Sequence, residues 1–183
     1  MPNAAKLVIV PLVNGFEEIE TVTPVDLLRR AGTEVLLASV SGVSLLTGRC
    51  GMTIRCDTTL DALDGRACDM LLIPGGPGVA ALRADPRIAA LARRLHDAGA
   101  IVAAICAAPA VLGDAGLLTG RKFTAHYSVH PEFTDADGAS PVVVDGRIIT
   151  SRGAGTALPF GLALVERLYG PAISADIARQ IMA

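Results

Sequence analysis

At 183 residues, 51% hydrophobic and 19% charged, with a mean hydropathy of +0.50, the chain reads as one compact domain with a sizeable apolar interior, residues 1–183. A formal charge of −2, with 16 scattered Lys and Arg, no Trp and 3% aromatics, leaves neither a basic stripe for a phosphate backbone nor a base-stacking platform, so specific nucleic-acid binding is not expected. The opening "MPNAAKLVIVPLVNGFEE" holds an apolar run too short to span a bilayer and no cleavage region before its acids, which predicts an untargeted, cytoplasmic chain with no membrane partner.

Short β-branched runs then alternate with alanine-rich helical segments. "KLVIVPLV" predicts a strand and "EIETVTPVDLLRRAG" a helix closed by basic residues and Gly32; "EVLLASV" predicts the second strand. The glycines and alternation of "SGVSLLTGRCGMTIRCDTTLDALDG" predict a short hairpin and a turn-rich connection. "DMLLIPGG" is a strand running into a glycine loop. Asp85-Pro86 marks an N-cap and first helical residue for "DPRIAALARRLHDAG", and "IVAAIC" is a strand followed by the helical "AAPAVLGDAG". "PVVVDGRIITSR" predicts a hairpin turning at Asp145-Gly146, and "GTALPFGLALVERLYG" and "PAISADIARQIMA" two closing helices. The alternation predicts an α/β fold: a mainly parallel, doubly wound sheet with helices on both faces.

In such a sheet the ligand crevice lies beyond the carboxyl ends of the strands, at Asn14–Glu20, Pro74–Gly78 and Cys106–Pro109. A cysteine at a strand-to-helix turn is an elbow nucleophile, and a helix start lowers a thiol pKa, which predicts Cys106 as the most acidic of the four thiols. From the local pattern alone, a lone Cys inside "AAICAA" also reads as a small core residue. Cys50, Cys56 and Cys68 read as buried filler. No C-x-x-C pair or histidine spacing supports a metal, and no glycine fingerprint supports a nucleotide.

Three partners bear on Cys106. "PGGPG" lets the backbone approach a substrate oxygen, so the Gly76 and Ala107 amides are candidates for an oxyanion hole. In "GFEEIETVTPVD", Glu17 and Glu18 read as surface acids that complement a helix dipole, whereas Glu20 lies one turn in, on an apolar face that would raise its pKa and keep it protonated. His126 follows Phe123-Thr124-Ala125, at a strand end where a base for the cysteine belongs; His130 reads as a solvent residue and His96 as a helix-surface residue.

These residues, with the motifs "EEIETVTPVDLLRRAG", "LLIPGG", "AAICAAPAVL" and "TSRGAGT" in order, make the chain similar to the small branch of the DJ-one/PfpI (ThiJ) family from about residue 6 to residue 182. The resemblance implies a flavodoxin-like sandwich, usually a homodimer, with the reactive cysteine at Cys106, its protonated partner at Glu20, the nearby histidine at His126 and the oxyanion amides at Gly76 and Ala107. It further implies cofactor-free and metal-free conversion of glyoxal or methylglyoxal, small 2-oxoaldehydes, to hydroxy acids, with protein deglycase activity as an extension. The alternative it carries is a redox-sensing stress-response or chaperone-like protein acting through Cys106 oxidation.

Departures narrow the range. Proteolytic members carry a histidine directly after the cysteine, where this chain has Ala107. The triplet His130-Pro131-Glu132 follows Cys106 by 24 positions, too early for an amidotransferase triad. "TGRCGMTI" does not align cleanly with an arginine of the close relatives.

Overall fold

A computed structural model describes residues 6–183; the five residues that begin the stretch read above as untargeted lie outside the described residues. Its strands are β1 Leu7–Leu12, β2 Glu34–Ser39, β3 Leu45–Thr47, β4 Thr53–Arg55, β5 Thr58–Thr59, β6 Met70–Ile73, β7 Ile101–Ile105, β8 Val142–Asp145 and β9 Ile148–Ser151. The helices are α1 Glu18–Arg30, α2 Val79–Ala84, α3 Pro86–Asp97, α4 Pro109–Asp114, α5 Ala157–Tyr169 and α6 Pro171–Gln180. Seven strands form one sheet in the order β5-β2-β1-β6-β7-β9-β8, parallel throughout except for the β8–β9 hairpin, while β3 and β4 pair as a separate antiparallel ribbon. This is the flavodoxin-like, doubly wound arrangement.

The strands read as continuous apolar runs because both faces are covered. Side chains alternate between two cores. Ile9, Leu71, Ile73, Val102 and Ala104 meet the layer containing Leu82, Ile88 and Leu95 of α2 and α3. Val8, Val10, Leu72, Ala103 and Ile105 meet Val25 and Leu28 of α1 and Phe160 and Leu164 of α5. Gly161 brings α5 close to α1, since a Cβ there would lie 2.6 Å from Leu27 Cδ1 and 3.0 Å from Pro24 Cα. Among the described residues no helix is long and apolar enough to cross a membrane.

The punctuation of the sequence is used as its chemistry suggests. Asp85 accepts from the Arg87 amide at 3.0 Å with Pro86 in the first helical turn, and Gly32 and Gly99 end helices with φ of +83° and +97°. Two details differ. The β8–β9 turn is Gly146-Arg147, because Asp145 is still paired with Ile148; glycine thus takes the first turn position, with φ of +61°. The short helix α2 and strand β5, unmarked in the sequence, are too brief to show a period.

Candidate functional site

Four loops leave the carboxyl edge of the sheet side by side. The loops after β1 and β6 are stitched together: the Glu17 amide donates to the Gly75 carbonyl at 3.0 Å, and the Gly78 amide to the Gly15 carbonyl at 3.0 Å. The loops after β7 and β9 are joined likewise. Cys106 N–H donates to the Ser151 carbonyl at 2.9 Å, and the Cys106 carbonyl accepts from the His126 amide at 2.8 Å. Pinned at both ends, Cys106 adopts φ of +66°, a left-handed conformation costing a non-glycine residue about 1–2 kcal/mol. Such strain survives only where the surroundings over-determine it, as at a nucleophile elbow.

The first turn of α1 delivers Glu20 to the sulfur. Glu17 caps the helix by accepting the Glu20 amide at 2.7 Å, which fixes the turn on which Glu20 sits. The Glu20 carboxyl is 1% exposed, accepts the Gly75 amide at 2.9 Å and hydrogen-bonds the Cys106 side chain. Gly75 must be glycine here: a Cβ would lie 2.5 Å from Glu20 Oε2 and 2.7 Å from Cys106 Cβ. The Ala107 and Gly76 amides both hydrogen-bond the sulfur. The structure therefore brings Cys106, Glu20, Gly76 and Ala107 into one cluster.

Burial pushes the Glu20 carboxyl up to about 7, helped by the charge of Glu17 and opposed by its hydrogen bonds and by Arg49. Burial likewise leads the causes at Cys106, and together with the charge and hydrogen bond of Glu20 it pushes the thiol up to about 12, against the Ala107 and Gly76 amides. The expectation of an intrinsically acidic thiol is thus corrected. The reason lies at the helix start: α4 is only six residues long, the Ala108 amide is spent on the Ile105 carbonyl at 3.1 Å, and Pro109 has no N–H. Cys106 and Glu20 titrate as a coupled pair: burial opposes the charged form of both and the charge on Glu20 opposes ionisation of the thiol, so the pair ionises in two steps with a single shared proton between them. Protonating Glu20 removes its charge and turns its hydrogen bond into a donor, which is the state that favours a thiolate.

His126 sits beside the pair with Gly153 between: a Cβ at Gly153 would lie 3.6 Å from His126 Cδ2 and 4.0 Å from Glu20 Oε1. Burial first, then the positive charges of His130 and Arg49, lower its pKa, so the ring is neutral at pH 7. Its Nδ1 accepts from the Ser128 amide at 3.3 Å and lies 2.9 Å from Ser128 Oγ, which places the ring proton on Nε2. In this tautomer the ring offers a donor at Nε2. A cavity of about 440 Å³ opens next to it, lined by Ala125, His126, Tyr127, His130, Arg152 and Gly153.

Other expectations also change. Glu17 and Glu18 are buried, at 6% and 5% exposure, because loops fold over the start of α1. Cys50 is exposed and Cys68 half-buried; only Cys56 is buried filler. His96 is half-buried rather than on the surface: among the described residues its buried Nδ1 makes no hydrogen bond, with Asp97 Oδ1 3.5 Å away. His130 is half-buried, with Nε2 3.1 Å from the Ala125 carbonyl. Sequence reasoning missed Arg49, whose charge acts on both Glu20 and His126 although it lies on the distant β3–β4 ribbon. It also missed the role of Gly75, for which "PGG" was the available signal.

The chain as a whole is similar to known proteins. The DJ-1/PfpI family model matches residues 6–167. The chain is 37% identical over 176 residues to Protein DJ-1 homolog A of Arabidopsis thaliana, covering 93% of this chain but 45% of that protein, so it spans less than half the length of that relative. It is 37% identical over 158 residues to the glutathione-independent glyoxalase DJR-1.2 of Caenorhabditis elegans, covering 85% of this chain and 84% of that one. The solved structure of oxidised Toxoplasma gondii DJ-1 superposes with a TM-score of 0.92 at 36% identity, covering 97% of this chain and 98% of that one.

Proposed function

The chain belongs to the DJ-1/PfpI family, and from that premise we propose that it is a cofactor-independent glyoxalase acting on methylglyoxal and glyoxal as a homodimer in the cytoplasm, its 183 residues forming one domain. The observation that carries the reading is the buried Glu20 carboxyl hydrogen-bonded to Cys106 at a strained elbow, with two backbone amides on the sulfur. The glyoxalase named among its relatives supports the same reaction type.

The thiol proton of Cys106 passes to the Glu20 carboxylate as the sulfur adds to the aldehyde carbon, and the negative charge passes from sulfur to the former carbonyl oxygen, within reach of the Gly76 and Ala107 N–H groups. Protonated Glu20 delivers its proton to that oxygen and becomes a carboxylate. The carboxylate next removes the hydrogen from the carbon bonded to sulfur, giving an enediol, and returns it to the adjacent carbon. This converts the adduct into a thioester, and water releases the 2-hydroxy acid and restores the thiol. His126 Nε2–H steadies the second substrate oxygen. The same addition step extends to early glycation adducts as deglycase activity.

Turnover of methylglyoxal without glutathione, by the wild type and by Cys106→Ala, tests the reading. Ala fits the space of Cys106, so the variant should keep its circular dichroism spectrum and lose turnover by at least about a hundredfold, as removal of a covalent nucleophile requires. Comparable turnover by the variant refutes the mechanism. The redox-sensing alternative is favoured if the wild type does not turn the aldehyde over but Cys106 oxidises under mild peroxide.

A further inference from the structure

Glu18 is a buried carboxylate that the Cys106 chemistry leaves unused. It is 5% exposed, and the turn between β3 and β4 closes around it. Cys50 N–H donates to Glu18 Oε1 at 2.8 Å and Met52 N–H to the same oxygen at 3.4 Å. Gly48 makes room, since a Cβ there would overlap the carboxylate. Burial pushes the Glu18 pKa up, but hydrogen bonds from its own amide, from Cys50 and from Met52 outweigh it and hold the group below its ordinary value, so it is ionised at neutral pH. The other oxygen, Oε2, is buried and has no partner among the described residues. Beside this half-satisfied acceptor stands the side chain of Cys50, within hydrogen-bonding reach of the carboxylate and exposed to solvent.

We propose that Cys50 is a second peroxide-reactive thiol of this protein, and that Glu18 Oε2 stabilises its sulfenic acid by accepting the S–O–H hydrogen bond. In the reaction the Cys50 sulfur attacks one oxygen of hydrogen peroxide; the S–O bond forms and the O–O bond breaks. The thiol proton passes through the Glu18 carboxylate to the departing hydroxide, which leaves as water. Sulfur loses two electrons and peroxide gains them. A thiol is a weak donor and leaves Oε2 poorly served, whereas a sulfenic acid places a strong O–H donor one bond further out.

The same geometry sets where oxidation stops. A sulfinate has no donor and carries a negative charge, so the ionised Glu18 opposes it. At Cys106 the neighbour is Glu20, protonated up to about pH 7, which can donate to a sulfinate. The first turn of α1 thus holds two glutamate–cysteine pairs in opposite protonation states. Cys106 proceeds to sulfinate and Cys50 rests at sulfenic acid.

The test uses the full-length protein with one equivalent of hydrogen peroxide, dimedone being present from the start or added after several minutes. Trypsin releases residues 50–55, in which Cys50 is the one thiol, so a dimedone mass on that peptide reports its sulfenic acid even if Met52 is oxidised. The expected result is a Cys50 adduct that survives the delay. Glu18→Gln turns the acceptor into a donor, and the delayed adduct should fall at least about tenfold while Cys50 sulfinate rises, as loss of one charge-assisted hydrogen bond implies. A wild-type adduct no greater than at Cys56 or Cys68, or an adduct unchanged in Glu18→Gln, overturns the proposal. Should Glu18→Gln not fold, the wild-type lifetime decides: persistence through the delay supports the proposal, and conversion to sulfinate within it overturns it.

Discussion

Replacing Glu20 by Gln tests the shared proton without emptying the site, because the amide keeps an oxygen for the Gly75 N–H and an N–H₂ for the sulfur. The Glu20 carboxyl rises from 4.5 to about 7 on folding, chiefly through burial. Between those values the folded chain binds more protons than the unfolded one, so the associated stability is complete below pH 4.5 and lost as pH rises through about 7. At about 1.4 kcal/mol per pH unit the loss is roughly 3 kcal/mol by pH 8. Urea denaturation of the wild type and Glu20→Gln at intervals from pH 4.5 to 8 should therefore give stability curves that separate by roughly 3 kcal/mol in favour of the variant toward pH 8. The depressed pKa of His126 acts with the opposite sign, its stability rising with pH, and cancels in the difference between the two proteins. Because Gln retains the donor, iodoacetamide labelling of Cys106 should persist while aldehyde turnover collapses. Parallel stability curves would show that Glu20 is ionised throughout and that no proton is shared with Cys106.

Gly75→Ala should abolish turnover and cost about 1–3 kcal/mol of stability from overpacking against Glu20 and Cys106; full activity in a soluble variant would refute the assigned role of Gly75. Multi-angle light scattering at micromolar concentration should report twice the 18.8 kDa chain mass, and a monomer mass would remove the homodimer from the proposal.

The sequence by itself determined the layers and their order, because burial on both faces forces continuous apolar strands and helix ends carry their own chemical marks. "LVIVPL", "MLLI" and "IVAAI" are legible for that reason, as are Asp85-Pro86 and the glycines after α1 and α3. It also pointed to Cys106, which stands just past a strand where an open parallel sheet places its crevice, and to Glu20, which lies one turn into the helix that follows β1, on an apolar face. What it could not determine was anything set by residues meeting across loops. Glu17 and Glu18 looked like surface acids because local pattern cannot register the β3–β4 ribbon and the Gly75 loop closing over α1. Arg49 reaches the site from that same ribbon, more than fifty positions before Cys106. The proton balance of the cysteine is the clearest case. A helix start argued for a low thiol pKa, but the fold spends the nearby amide on its own turn and buries the sulfur against a glutamate, and burial and charge are properties of the assembled environment, not of the local sequence.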